Sequence, residues 1–92
     1  MTIQVTVENT PNEHALKFNV NKKILESGYK PFNNREEAGD FPVAARILEN
    51  EGVASVFVMA EVGTACITVI KKPEANWADL RDKIVDGIKA TL

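Results

Sequence analysis

The chain has 92 residues, 45% hydrophobic and 26% charged, with 11 basic against 13 acidic side chains and a net charge of −2. This is the composition of a single globular domain, too short to divide and too balanced in charge to present a basic field to a phosphate backbone. A domain this small buries roughly 60–65% of its unfolded surface, which allows one core but not a large enclosed active site within one copy.

Ile3, Val5 and Val7 alternate with Gln4, Thr6 and Glu8, the period of a half-buried strand. Thr10-Pro11-Asn12-Glu13 reads as a turn, because proline presets φ and asparagine tolerates the next position. Alternation resumes with Leu16, Phe18 and Val20 against Ala15, Lys17 and Asn19, so the two strands predict an antiparallel hairpin with one apolar face.

From Asn21 to Gly39 the pattern weakens, and Gly28, Pro31, Asn33-Asn34 and Gly39 punctuate a long connection. Ile24-Leu25 and Tyr29-Pro31-Phe32 are candidate edge segments, since proline demotes a strand to an edge. Asp40 then reads as a helix N-cap with Pro42 in the first turn, where a missing N–H costs little. Val43, Ile47 and Leu48 share a face of that helix, and Gly52 is placed to leave it in a left-handed conformation.

Val53-Ala54-Ser55-Val56-Phe57-Val58-Met59 and Cys66-Ile67-Thr68-Val69-Ile70 are rich in strand formers and flank a turn at Glu61-Val62-Gly63-Thr64. They predict a second hairpin, largely covered by helices. Asn76 caps the last helix, with Asp79 positioned to reach back as in a capping box. Trp77, Leu80, Ile84, Ile88 and Leu92 form an amphipathic stripe, with Gly87 an expensive interruption. The expected fold is α+β: a two-layer sandwich in β-β-α-β-β-α order, with four mostly antiparallel strands and two helices on one face.

Cys66 is the only cysteine, so no disulfide forms within the chain, which fits a reducing compartment. The opening Met1-Thr2-Ile3-Gln4 lacks the pattern of a signal peptide, and the longest apolar stretch is far shorter than the roughly 20 residues of a membrane helix. These features predict a cytoplasmic protein with neither membrane nor nucleic acid as a partner.

Little here supports catalysis. His14 and Cys66 lie in different hairpins, where His14 reads as a solvent-facing strand residue and Cys66 as a small core hydrophobe with a raised thiol pKa. One thiolate cannot hold an iron–sulfur cluster in a monomer. Asp79, Asp82 and Asp86 interleave with Arg81 and Lys83 as a solvated helix face. The rigid turn Thr10-Pro11-Asn12 and the helix start Phe41-Pro42 are candidate partner anchors, with Phe41 alternatively closing the core.

Five motifs in order resemble the N-terminal domain of Nfu-type (NifU-like) iron–sulfur scaffold and carrier proteins. They are Thr10-Pro11-Asn12-Glu13-His14-Ala15-Leu16-Lys17-Phe18, Pro42-Val43-Ala44-Ala45-Arg46-Ile47-Leu48, Gly52-Val53-Ala54-Ser55-Val56-Phe57, Cys66-Ile67-Thr68-Val69-Ile70-Lys71, and Trp77 with Leu80 and Ile84. Cys66 stands where that family usually has an aromatic. Full-length members add a domain whose C-x-x-C motif binds the cluster, and these 92 residues hold no such motif.

The resemblance therefore implies a stand-alone, non-catalytic docking domain that recognises a scaffold, a carrier or an apo-enzyme, as a monomer or weak homodimer. Its expected contacts are Thr10, Pro11, Asn12, Lys17, Phe41, Pro42 and Arg46. No cofactor is expected in the chain itself; iron or a cluster comes by association with partners. The alternatives are direct iron or cluster binding through Cys66 in a homodimer, and a small-ligand site beside the 21–39 connection.

Overall fold

The structure is a computed structural model and describes residues 3–61 and 63–92. In chain order the elements are β1 (Val5–Asn9), β2 (Ala15–Val20), β3 (Tyr29–Phe32), α1 (Pro42–Leu48), β4 (Val53–Ala60), β5 (Ala65–Lys71) and α2 (Trp77–Thr91). The strands form one antiparallel sheet in the order β1-β2-β5-β4-β3.

Both hairpins form where alternation places them, and β2 joins them by pairing with β5, Phe18 opposite Ile67. Leu16, Phe18, Val20, Val56, Val58, Ile67 and Val69 share one face and pack with Val43 and Ile47 of α1 and with Leu80, Ile84 and Ile88 of α2. The α2 stripe is thus buried as its spacing requires. Residues of the other parity, among them Lys17, Asn19, Phe57, Met59, Cys66 and Thr68, lie on the opposite face.

The sheet has five strands rather than four. The fifth, β3, lies inside the 21–39 connection and pairs with β4, Tyr29 opposite Met59 and Phe32 opposite Val56. Its edge position is the one Pro31 permits. Only Phe32 of its four residues is buried, so its sequence carries no alternation to read.

Two helix-end assignments also change. The N-cap of α1 is Phe41, not Asp40; its carbonyl accepts the Ala45 N–H at 3.0 Å, and no side chain caps the helix. Gly52 is not left-handed: α1 ends at Glu49 in the right-handed region, and among the described residues positive φ occurs only at Gly28 and Gly63, both 72°. Gly52 is required for space instead, because a Cβ there would stand 2.9 Å from Ala75 Cβ and 3.0 Å from Leu80 Cδ1. At the second hairpin turn the Glu61 N–H donates to the Thr64 carbonyl at 3.2 Å; Val62 of that turn lies outside the described residues, as do Met1 and Thr2.

Gly87 has a reason that lies on the other helix. A Cβ there would meet Arg46 Cγ of α1 at 3.0 Å. Alanine gains about 1 kcal/mol over glycine in a helix interior, and here the arginine stem opposes that gain. We expect Gly87→Ala to be close to neutral alone and stabilising by up to about 1 kcal/mol in an Arg46→Ala background. Urea midpoints of the four proteins in this cycle check it. Equal effects in both backgrounds would remove Arg46 as the cause.

Candidate docking surfaces

The seven expected contact residues fall into three groups rather than one patch. Thr10, Pro11 and Asn12 form the turn between β1 and β2. Thr10 Oγ1 lies 2.9 Å from the carbonyls of both Asn12 and Ala15 and accepts the Asn12 N–H at 3.2 Å. Asn12 Oδ1 accepts the His14 N–H at 2.9 Å. Both polar side chains therefore build the turn, and Pro11 is exposed beside them.

That turn is tied to α2. Trp77 Nε1–H donates to the Glu13 carbonyl at 3.0 Å while the ring packs against the core. At the start of α2 the Asn76 side chain accepts the Ala78 N–H at 2.9 Å. The reciprocal bond from Asp79 is not made among the described residues, although its charge suits the first helical turn.

The second group is Lys17, on the sheet face away from the helices. Its Nζ is 3.7 Å from Glu8 Oε2 across the β1–β2 pair, with both side chains well solvated, so the pair adds little stability. On the same face Cys66 is 2% exposed, with Asn19 and Met59 opposite it on the neighbouring strands. It is buried as a small hydrophobe would be, but outside the main core cluster. Toward the β3 edge this face carries Tyr29, 61% exposed and stacked on Phe57 at 4.9 Å between centroids, and Met59, 43% exposed.

Burial pushes the Cys66 thiol pKa above its ordinary value of 9.0; Lys17 and a hydrogen bond with Thr68 pull the other way but do not cancel it. A raised pKa means the unfolded chain loses this proton first as pH rises. The thiol's contribution to stability is therefore complete below pH 9.0 and is lost as pH climbs from there through the higher folded value. Chemical denaturation of the wild type and Cys66→Ala should give a stability difference that is flat well below pH 9.0 and shrinks above it. A difference that grows with pH would mean a stabilised thiolate.

The third group sits at α1, near the opposite edge of the sheet from β1. The Phe41 ring packs on Phe32 of β3 at 5.3 Å, tilted by 31°, and Lys30 Nζ lies 5.9 Å from its centroid. Phe41 is half-buried against the core, so it closes that edge of the fold while keeping part of its ring in solvent. Pro42 and Arg46 are exposed, the arginine with its stem across Gly87. A shallow groove of about 210 Å³ runs beside Phe41 between Lys30, Glu36, Glu37 and Asp40.

Among the described residues, no three His, Cys, Asp or Glu side chains stand together in a way that could hold a metal ion. No helix of the described residues is long and apolar enough to cross a membrane.

A family model described as "Scaffold protein Nfu/NifU N terminal" matches residues 3–92. The chain is 31% identical over 83 residues to NifU-like protein 5, mitochondrial, of Arabidopsis thaliana, spanning 90% of this chain but 29% of that protein's length. Its fold is similar to the solution structure of a NifU-like protein from Saccharomyces cerevisiae, with a TM-score of 0.75 and 25% identity over 97% of this chain and 77% of that one. Protein SAV1430 from Staphylococcus aureus shares the fold, with a TM-score of 0.71 and 22% identity over 99% of this chain and 98% of that one. The strand–turn–strand, α1 and Trp77 helix motifs thus occur within a match that runs almost end to end, and the chain belongs to the Nfu/NifU N-terminal domain family.

Proposed function

We propose that this domain acts in iron–sulfur cluster assembly as a non-catalytic docking module that recognises a cluster scaffold, a carrier or an apo-protein target. The observation that carries the reading is the family match over residues 3–92, whose description names a scaffold protein. The balanced surface charge and the rigid, hydrogen-bonded Thr10–Asn12 turn are compatible with a preformed protein-binding surface. Lys17, Pro11, Pro42 and Arg46 are the direct contacts in this reading. Thr10, Asn12 and Phe41 support it by holding the turn and the α1 start in place. Iron or a cluster reaches the domain on its partner, and a reducing compartment, the cytoplasm among them, suits its single buried thiol.

The test is an anaerobic affinity capture from native extract, read by mass spectrometry, with a Lys17→Glu/Arg46→Glu variant beside the wild type. These two sites are chosen because alanine at Asn12 or Phe41 would also disturb the turn or the core edge. Enrichment of cluster scaffolds, carriers or iron–sulfur enzymes by the wild type, lost in the variant, is the expected result. A blank, or enrichment that ignores the variant, overturns the docking surface. An iron chromophore formed on reconstitution of the isolated domain and absent from Cys66→Ser would replace docking with direct metal binding.

A further inference from the structure

The two edges of the sheet are not equivalent. The Ala60 N–H bonds to the Gly28 carbonyl at 2.9 Å, so on β3 the even-numbered residues face β4 and the backbone of Tyr29 and Pro31 faces outward. Pro31 has no N–H to offer there, so this edge is blunted against another strand.

At the other edge the Asn21 N–H bonds to the Gln4 carbonyl at 3.2 Å, and the Lys71 N–H to the His14 carbonyl at 2.8 Å. The alternation of an antiparallel ladder then assigns Thr6 and Glu8 to β2 and turns the N–H and C=O groups of Val5, Val7 and Asn9 outward. This edge carries no proline and no bulge.

Beside it lies a groove of about 260 Å³ between β1 and the first turns of α2. Val7, Asn9 and Leu16 form one side, and Trp77, Ala78 and Arg81 the other. The arginine is exposed and makes neither an ion pair nor a hydrogen bond with any described residue. An open strand edge beside a trough that mixes the apolar Val7, Leu16 and Trp77 with the polar Asn9, under an unpaired cation, is the arrangement that accepts an extended segment by strand addition.

We propose that the β1 edge and its groove against α2 bind an extended acidic peptide segment of a partner protein, which adds as a sixth strand. Its backbone pairs with Val5, Val7 and Asn9. One apolar side chain enters between Val7 and Trp77, and a carboxylate two residues away on the same face meets Arg81. The two side chains share a face because strand residues alternate, and a guanidinium binds a carboxylate with two parallel hydrogen bonds.

A second copy of this chain fits less well. The groove-side residues of its own β1 are Val5, Val7 and Asn9, none of which is acidic, and its one β1 acid, Glu8, lies on the other face. The proposal stands whether or not the partner belongs to iron–sulfur assembly, because no such partner is needed to test it.

The test is selection from a phage-displayed library of random dodecapeptides, followed by fluorescence anisotropy with the selected peptides. The expected winners carry an apolar residue two positions from Asp or Glu. Arg81→Glu, on an exposed helix face, should weaken them at least tenfold and, in a fresh selection, favour Lys or Arg instead of the acid. Val7→Pro removes an outward N–H and should abolish binding. Asn9→Pro, at the strand end, does the same where Val7→Pro fails to fold. An unenriched library, winners without this spacing, or binding indifferent to a folded proline variant would overturn the proposal. So would a sedimenting dimer that the proline variant dissociates and no peptide competes with, which would assign the edge to a second copy.

Discussion

Phe18→Ala is expected to cost about 3–5 kcal/mol. Phe18 is 0% exposed and sits at the middle of β2, opposite Val7 of β1 and Ile67 of β5. β2 is paired on both sides and Phe18 packs in the core that the helices cover, so removing its ring leaves a cavity in a close-packed interior. A domain of this size has about 5–15 kcal/mol in total, so the variant should lie near the limit of folding. At roughly 4–8 °C per kcal/mol, the melting temperature should fall by ~12–40 °C. Melting followed by far-ultraviolet circular dichroism measures this. A loss under about 5 °C would show that the sheet's centre is not packed as described.

Trp77→Ala is expected to cost about 2–4 kcal/mol, below the range for a fully buried aromatic because the ring is only partly enclosed. The loss has two sources. The ring packs against the core, and its N–H holds the Glu13 carbonyl 64 residues away in sequence. The second source gives the prediction a local signature. Amide hydrogen exchange at Asn12, His14 and Ala15 should speed up more than at the centre of β4, because the turn loses its tie to α2. Trp77→Phe should restore most of the melting temperature but not the turn's protection. Uniform acceleration across the chain would mean that Trp77 serves only as core.

The elements that were legible in the sequence have a periodicity created by one buried face. Leu16, Phe18 and Val20 alternate because the helices cover a single side of β2, and the spacing from Trp77 to Ile88 is that of one helical stripe on the sheet. Where three of four residues are exposed, as in β3, no such imprint exists. Other features depend on groups that meet only after folding. Gly52 and Gly87 are explained by Ala75, Leu80 and Arg46, none of which is near in sequence. The same holds for the candidate site. Exposure could be guessed for Pro11, Pro42 and Arg46, but their separation could not, since it depends on which strand lies at which edge. Arg81 read as one more charge on a solvated helix face. Its position over a groove follows from the contact between α2 and β1, for which the local sequence carries no signal.

The pairing of β2 with β5 at the heart of the sheet has a consequence for how this chain is made. A ribosome emits residues from the N-terminus at roughly 5–20 per second, and β5 follows β2 by some 45 residues. For several seconds the β1–β2 ribbon is outside the tunnel with no third strand to complete it. A lone two-stranded ribbon is marginal in water. The first half of the domain therefore waits, its apolar face uncovered, until the second half arrives, and the whole sheet closes late. A nascent chain stalled before Lys71 should be a good client for a chaperone and an easy one for a protease, whereas a chain released past Thr91 should be neither.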